Sequence, residues 1–430
     1  MASTLLEGFA KKRRYMGSAA GEVRCVADDG FAAVWSDGQG DLVPKHTHGE
    51  QSNTSITLGE RLVFKFFRRV EMGCNPDIEI GRELTRRQFS HVAPVLGALE
   101  WQRKGTKDIA SLGVLNAYVA NQGDAWHLTL NSVGRYYEWA LTHLSENELE
   151  HQLDGEDLLL SKSDDVPELY TESFGTYLPL VMVLGERVAQ LHVSLSSAHS
   201  SQAFTPEPFS ELYQRSMYQS ARTRVARAIK LLGAQLSGLP EEVQADAQDL
   251  IGRKEQLLER LKQIAGKKLD ALRVRCHGDL HLGQILYTGK DFAIIDFEGE
   301  PVRSIGERRF KRSPLLDVAG MLRSFHYAQV AALRHDPLAL RDTERLAPWG
   351  RHWCRRVSAE FVRSYLEVAR KADFLPSTDA GIAALLDFYL LDKAAYELLY
   401  ELNNRPSWVH IPLTGLLDLL ATDPKVETDV

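Results

Sequence analysis

Two acidic segments lie close together in the second half of this 430-residue chain, and they constrain its fold more than any other feature. The first has the sequence HGDLHLGQ (residues 277–284), and the second has the sequence IIDFEG (residues 294–299). Between them, residues 287–290 are suited to a turn, and residues 292–295 are strand-like. We therefore predict a loop that carries one aspartate, followed by a hairpin that ends at a second aspartate.

The spacing of these polar groups suits phosphoryl transfer to a hydroxyl. Such a site needs a carboxylate beside the attacking hydroxyl, and it needs oxygen ligands for Mg2+. In protein kinases the catalytic aspartate precedes an amide ligand by five positions. Asp279 precedes Gln284 by five, and Asp296 follows Gln284 by twelve. We predict Asp279 as the catalytic base and Gln284 with Asp296 as the metal ligands; the alternative is an ordinary hairpin whose acids cap helices.

Lys65 lies inside an apolar run, LVFKFF at residues 62–67, which predicts a strand. Because an unpaired buried charge is costly, the ammonium needs partners such as nucleotide phosphates and a carboxylate. The next predicted helix, at residues 76–90, carries Glu79 and Glu83. We expect Glu79 to pair with Lys65, with Glu83 as the second candidate. The alternative places Lys65 on the exposed face of an edge strand.

Small polar side chains precede the Lys65 hairpin. Hydroxyl and backbone N–H groups of Ser52, Asn53, Thr54 and Ser55 are candidates for contact with nucleotide phosphates. No Gly-Lys-Ser/Thr follows, so this is not a Walker A sequence. Stretches of this kind are also common as plain turns.

The connection at residues 117–124 ends a predicted strand and enters a helical region. Backbone groups of such a connection can bond the edge of an adenine ring, and we therefore include Asn121 and Gln122 among the candidate nucleotide contacts. A simple linker between two lobes has the same appearance.

A polar and aromatic helix near the C-terminus is a candidate sugar site. Lys393, Glu397 and Tyr400 are spaced i, i+4, i+7, so they share one face. Sugars combine hydroxyl groups with apolar ring faces, which suits charged and aromatic side chains. The alternative is a solvated face with ion pairs four residues apart. The candidate substrate residues are Lys393, Tyr396, Glu397, Tyr400, Glu401 and Arg405.

Composition limits the partners and the cellular compartment that we expect for the protein. The net charge of −7 argues against nucleic acid as the main partner. The four cysteines are widely spaced, which fits a reducing compartment. The longest apolar stretches, such as residues 178–184, are too short to span a bilayer. We expect a cytoplasmic protein with no membrane contact.

The order of predicted elements indicates an α+β chain in three parts. Residues 1–45 contain short strands at 24–27 and 31–35, and residues 46–122 form a β-rich nucleotide-binding part. Residues 123–430 form a helical lobe with the catalytic loop and the sugar site. Its predicted helices are 131–149, 175–194, 209–236, 241–272, 314–334, 348–372, 379–403 and 412–421.

The runs DFEGEP (residues 296–301) and SPLLDVAGMLRSFHYA (residues 313–328) resemble those of the maltokinases, including the kinase modules fused to trehalose synthases. Similar sequences are EQSNTS (residues 50–55) and NQGDAW (residues 121–126). The resemblance implies a bilobal protein-kinase-like fold with an N-terminal cap subdomain. It also implies ATP and Mg2+ as cofactors, and it supports the roles of Asp279, Gln284, Asp296 and Lys65.

By that resemblance the acceptor is maltose, phosphorylated at its anomeric hydroxyl, with a possible link to trehalose synthase. Another small-molecule kinase, for glucosamine or an aminoglycoside, is the alternative. An aminoglycoside site should be strongly acidic, and Lys393 and Arg405 argue against it; glucosamine differs from maltose only in pocket details. A catalytically dead regulatory module, the third hypothesis, would have lost one of four functional residues, and none is missing. These residues are Lys65, Asp279, Gln284 and Asp296.

A basic cluster follows the second acidic segment. Its members are Arg308, Arg309, Lys311 and Arg312. A solvated surface patch is one interpretation, and a lid that contacts phosphate or substrate is the other.

Overall fold

β-Prone segments of the first 117 residues form one antiparallel sheet. The computed structural model describes residues 2–17, 21–36, 42–46, 53–143, 172–198, 201–266, 269–335 and 342–421. In that part of the chain the sheet has seven strands, in the order β1-β2-β6-β7-β5-β4-β3. They are β1 (Arg14–Met16), β2 (Gly21–Ala27), β3 (Pro44–His46), β4 (Asn53–Leu58), β5 (Leu62–Phe67), β6 (Val95–Arg103) and β7 (Ile109–Ala117).

The sheet joins residues from the first two predicted parts of the chain. Strand β2 pairs with β6 along its whole length, from Gly21 opposite Arg103 to Ala27 opposite Gly97. Helices α1 (Ala2–Ala10) and α2 (Phe31–Ser36) pack on one face of the sheet, and α3 (Pro76–Arg86) packs on the other. The division at residues 45 and 122 stays a prediction, although hydrogen bonds run across the first boundary.

The strand that carries Lys65 lies inside the sheet. β5 pairs with β4 on one side and with β7 on the other, so Lys65 lies opposite both Ser55 and Val114. The alternative of an exposed edge strand is therefore wrong, and only 8% of the Lys65 surface is exposed.

The prediction of a strand at residues 31–35 is wrong, because Phe31–Ser36 is a helix. Phe31 and Trp35 are four residues apart, which places them on one helical face, and their rings stack with centroids 5.9 Å apart. The i, i+4 spacing was the signal for a helix, and five mostly apolar residues were too few to distinguish it from a strand.

Helix α3 begins where the sequence predicts and ends earlier. The Asn75 side chain caps it by accepting from Asp77 N, and Pro76 occupies the first turn. The predicted end at residue 90 is not reached, because Gln88 has a φ of +56° that no α-helix continues.

The rest of the chain is mainly helical, and the predicted helix at 241–272 is divided. Arg253, with φ −90° and ψ 13°, separates α7 from α8 after Gly252. Short strand pairs join β8 (Glu207–Pro208) to β9 (Leu272–Arg273) and β10 (Ile285–Tyr287) to β11 (Phe292–Ile294). The helices are α4 (Ala125–His143), α5 (Tyr177–Ser196), α6 (Glu211–Gln235), α7 (Glu241–Gly252), α8 (Lys254–Lys262), α9 (Ile305–Arg308), α10 (Leu315–His335), α11 (Thr343–Ala369), α12 (Asp379–Asn404) and α13 (His410–Ala421).

The apolar stretch at residues 178–184 belongs to a longer helix. α5 has 20 residues and is apolar enough to cross a membrane by length and composition, and half of its most apolar window is buried inside the protein. Val181, Leu184 and Val188 on this helix are each at most 1% exposed. Burial against other helices explains its composition without a bilayer.

Gly320 lets α10 approach the loop that carries Asp279. A Cβ atom at this position would lie 2.4 Å from the carbonyl oxygen of Leu280. The backbone of the loop therefore depends on a residue without a side chain in the second turn of α10.

We expect Gly320→Ala to lower the free energy of unfolding by about 1–3 kcal/mol, because the added methyl forces the backbone apart. Gly134→Ala in α4 is the matched control, since a Cβ there meets nothing within 4 Å; it should be neutral or stabilise by about 0.4–1 kcal/mol. Urea unfolding of both variants checks this. Equal stability of the two variants would contradict a close contact at Gly320.

Candidate active site

The predicted hairpin brings the second acidic segment beside the end of the first. β10 and β11 pair with Ile285 opposite Ile294, and Ile295 N donates to the carbonyl oxygen of Gln284 at 3.0 Å. Gln284 and Asp296 therefore lie at the same end of the hairpin. Asp296 has a φ of +67°, an uncommon backbone conformation for a residue other than glycine.

Lys65 lies among three carboxylates. Its Nζ atom is 2.5 Å from Asp296, 2.7 Å from Glu298 and 3.0 Å from Asp77. Burial alone would disfavour the ammonium, but the carboxylates of Asp296, Asp77 and Glu298 outweigh it and hold the pKa of Lys65 well above its usual value. This cluster joins β5 and α3 of the sheet lobe to the segment after β11.

The expected pairing of Lys65 with Glu79 is corrected by the structure. Glu79 instead accepts from Arg275 at 2.7 Å and from Arg309 at 2.6 and 2.9 Å, and Glu83 pairs with Arg86 at 2.6 Å. Asp77 is two residues earlier on α3, on a different face of the helix. Its other oxygen accepts from Phe297 N at 2.9 Å, so Asp77 holds the second acidic segment as well as Lys65.

This carboxylate cluster suits a divalent cation. Ligand oxygens of Asp77, Asp296 and Glu298 all lie within 4.8 Å of one another. Burial raises the pKa of Glu298 against the effect of Lys65, and the charges of Asp296 and Asp77 add to the rise. Burial acts in the same direction on Asp296, but Lys65 outweighs it and lowers the Asp296 pKa. Carboxylate oxygens are ligands that Mg2+ prefers, and three carboxylates surround the single ammonium group of Lys65.

A buried hydrogen-bond chain fixes the loop that carries Asp279. Asp317 on α10 accepts from His277 N at 2.8 Å and from Gly278 N at 2.9 Å. The same carboxylate contacts His192 Nε2 at 3.0 Å, and His192 Nδ1 lies 2.9 Å from the Tyr365 hydroxyl. Burial would raise the pKa of Asp317, but His192 and the backbone N–H groups outweigh it and lower it.

Asp279 lies in contact with the candidate sugar helix. Lys393 Nζ on α12 is 3.0 Å from Asp279 Oδ1. Burial would raise the pKa of Asp279, but Lys393 and then His281 outweigh it and lower it. The carboxylate is therefore ionised, and one of its oxygens is held by the ammonium.

The remaining candidates on α12 are held in ion pairs and ring contacts. Arg323 Nε donates to Glu397 at 2.8 Å, and the buried Glu401 accepts from Tyr327 at 3.1 Å and from Arg405 at 2.7 and 2.9 Å. The candidate rings also contact cations: Lys393 lies 5.3 Å from the centre of Tyr396, and Arg405 lies 5.3 Å from that of Tyr400. The structure thus brings Lys393 to Asp279 and extends a polar face away from it along α12.

The predicted phosphate loop is partly a strand. Asn53, Thr54 and Ser55 belong to β4, because they continue its pairing with β5 from Asn53 opposite Phe67. The Asn53 side chain donates to Glu298, and Thr54 accepts from Arg68 at 3.1 Å. Ser52 lies outside the described residues.

The connection between the lobes pairs with the hairpin. Gln122 N donates to the Tyr287 carbonyl at 2.7 Å, and the Asn121 side chain donates to the Val119 carbonyl at 2.8 Å. Both groups therefore have structural partners, and their contact with adenine stays a prediction.

Two positioning residues were missed by the sequence reasoning. Asp77 lies in the first turn of the helix predicted at residues 76–90 but was not among the candidates, and Asp317 lies 38 residues after Asp279 with no spacing rule that relates them. Burial of these acids against partners far away in the chain is a tertiary property. Only the cost of an unpaired buried carboxylate could have suggested it.

The comparisons with known proteins point to one group of kinases. No protein-family profile matches the chain. It is 26% identical over 375 residues to a glucosamine kinase of Mycolicibacterium smegmatis, covering 86% of this chain and 78% of that one. It is 31% identical over 176 residues to a glucosamine kinase of Streptacidiphilus jiangxiensis, covering 38% and 37%.

The fold is that of a solved glucosamine kinase in complex with glucosamine, ADP and inorganic phosphate, with a TM-score of 0.68 and 19% identity. The match covers 98% of this chain and 85% of that chain. It confirms the predicted bilobal α+β fold, and the ADP in that complex agrees with the prediction of ATP and Mg2+ as cofactors.

The predicted acceptor, maltose, is wrong, and the comparisons support neither the maltokinase identity nor the link to trehalose synthase. The named relatives are glucosamine kinases. The motifs behind the maltose prediction concern residues predicted to serve the metal, the nucleotide and the base, and such parts are used by kinases with different acceptors. They carry little information about which sugar is phosphorylated.

The Asp317 anchor leads to a stability prediction. We expect Asp317→Asn to lower the free energy of unfolding by about 3 kcal/mol near neutral pH, because it breaks a buried charged network. The folded-state pKa of Asp317 is depressed, so its contribution is present above the usual value of 3.8 and is lost as the pH falls below it. The gap between wild type and variant should therefore narrow on acidification.

Asp249→Asn is the matched control, since Asp249 forms an exposed pair with Arg253 at 2.9 Å. Such a pair contributes at most about 1 kcal/mol. Urea unfolding at several pH values provides the measurement, and a small, pH-independent loss in Asp317→Asn would show that the network does not hold the loop.

Proposed function

We propose that the protein is an ATP- and Mg2+-dependent kinase that phosphorylates an amino sugar, glucosamine. The observation that carries the proposal is the contact between Asp279 and Lys393, which joins the candidate base to the polar face of α12. The carboxylate cluster around Lys65 supports the nucleotide half of the reaction. The named relatives support the choice of glucosamine.

On the nucleotide side, Lys65 is the group we assign to the phosphate oxygens. Asp296, with Gln284 at the same end of the hairpin, would hold Mg2+, and Asp77 and Glu298 complete the negative surroundings. A Mg2+ ion held by these residues would supply positive charge to offset the charge that develops on the phosphate oxygens during transfer. Asn53 keeps Glu298 in position through its side-chain amide.

On the acceptor side, Asp279 orients the sugar hydroxyl and takes its proton. Lys393 engages Oδ1, so we assign Oδ2 to the hydroxyl. A phosphoryl transfer with a loose transition state needs little help from a strong base, because the nucleophile loses its proton late. A carboxylate with a lowered pKa is compatible with that role.

An amino sugar is also compatible with the charges on α12. The sequence argument from Lys393 and Arg405 was directed against a polycationic aminoglycoside, and in the structure Lys393 pairs with Asp279 and Arg405 pairs with Glu401. Arg323 is likewise paired, with Glu397. Paired cations repel an ammonium group weakly, so these residues give no argument against the single ammonium of glucosamine. A cytoplasmic location remains a prediction.

We expect ADP release with glucosamine and ATP, and at most background release with maltose. An ADP-coupled assay over a panel of sugars, with N-acetylglucosamine as the matched control for the amino group, measures this. Nuclear magnetic resonance of the product then identifies the hydroxyl that is phosphorylated. Activity on N-acetylglucosamine equal to that on glucosamine would count against recognition of the ammonium.

The Lys393 contact predicts a change in the pH profile. In Lys393→Met the Asp279 pKa should rise, because burial then acts without the main opposing charge. The acid limb of kcat/KM should therefore move to higher pH, and kcat/KM near neutral pH should fall about 10- to 100-fold. Lys230→Met, on the exposed face of α6, is the control. An unshifted acid limb would rule out the assigned interaction, whatever the loss of rate.

A further inference from the structure

A basic cavity of about 580 Å³ lies behind the loop that carries Asp279. It is bounded by α6, by residues 273–275 that lead into the loop, by residues 303–312, and by one turn of α12. Three members of the basic cluster seen in the sequence, Arg309, Lys311 and Arg312, line it. The interpretation of that cluster as a surface patch is wrong for Lys311, which is 8% exposed.

The cavity has an excess of positive charge. Of its lining residues, seven are Arg or Lys and three are Asp or Glu. Two further carboxylates hold some of these cations from outside the lining: Glu79 pairs with Arg275 and Arg309, and Glu300 pairs with Arg303. Seven cations against five carboxylates leave two positive charges, which equals the charge of a phosphate monoester dianion.

Two of the arginines that line the cavity, Arg275 and Arg312, are not fully paired within the described residues. Arg275 is 1% exposed; its Nη1 bonds Glu79, whereas its Nη2 makes no hydrogen bond within the described residues. Arg312 forms no ion pair within the same residues, and its backbone is fixed by two hydrogen bonds to Val274. A lining guanidinium without a carboxylate partner in the described residues, as at Arg312, is a donor suited to phosphate oxygens.

Groups suited to hydroxyls face the arginines. Ser216 and Ser220 line the cavity from α6, and Asp392 lines it from α12. Arg224 lies 3.3 Å from Asp392 Oδ2, and Oδ1 of the same carboxylate has no hydrogen-bond partner in the described part of the chain. A ligand with a phosphate at one end and hydroxyl groups at the other matches the arginines and the two serines that line the cavity.

We propose that this basic cavity binds a sugar phosphate, at a site separate from those for nucleotide and acceptor. The cavity is connected to the catalytic groups. Asp392 adjoins Lys393, the partner of Asp279, and Arg275 and Arg309 hold Glu79 on the same helix as Asp77. A ligand that binds these arginines would therefore change the contacts of Glu79 on α3 and of Asp392, the neighbour of Lys393 on α12. The reaction product, a sugar phosphate, is one candidate ligand, and only this choice of ligand rests on the proposed function.

Isothermal titration of the full chain with glucose 6-phosphate tests the proposal without any need for turnover. We expect one site per chain, weaker binding of inorganic phosphate, and no displacement by ADP or by glucosamine. Arg312→Gln should weaken binding about 10- to 100-fold through loss of charge-assisted hydrogen bonds. Ser216→Glu, which places a carboxylate in the α6 wall of the cavity, should abolish it by repulsion. Arg215→Gln, which faces solvent on the same helix, is the control.

Three results would overturn the proposal: no binding, displacement by ADP or glucosamine, or affinity unchanged in both Arg312→Gln and Ser216→Glu. Equal affinity for inorganic phosphate and glucose 6-phosphate would show that Asp392 and the serines do not bind the hydroxyl groups of the sugar. Because ADP release from glucosamine is measured separately, failure of this site and failure of the proposed function are distinguishable.

Discussion

One ammonium group joins the two lobes. Lys65 comes from the middle of the sheet, and its three carboxylate partners come from the start of α3 and from the segment after β11. Removing one partner from a buried charged group is costly, so each element has to reach this point for the others to be stable there. The Asn75 cap, the pairing of β5 on both sides and the positive φ of Asp296 are local means to that end.

Parts of this arrangement that depend on local order could be predicted from the sequence. The spacing between Asp279, Gln284 and Asp296 implies a hairpin, and the hairpin forms with Gln284 bonded to the residue before Asp296. The apolar run around Lys65 implies a strand. Each inference uses residues that are near in the chain, where backbone geometry limits the possibilities.

The parts that depend on how elements face one another could not be predicted. Asp77 and Glu79 are both acids in the first turn of α3, and only the orientation of that helix decides which one meets Lys65. Asp317 supports the catalytic loop from a helix with no sequence relation to it. The six residues of α2 are too few for their periodicity to outweigh their β-prone composition.

The choice of acceptor failed for a related reason, because maltose was inferred from family motifs, and none of those motifs lies in α12. The candidate base Asp279 has Lys393 as an ammonium partner, and the candidate metal ligand Asp296 has Lys65. A cation or a sugar that binds here exchanges one interaction for another, so its affinity is a difference between two large terms. Selectivity for the acceptor then depends on how well it replaces the Lys393 contact and the pairs along α12, rather than on the sign of any single side chain. A family motif cannot report this quantity, because it lies in the contacts between α12 and its neighbours.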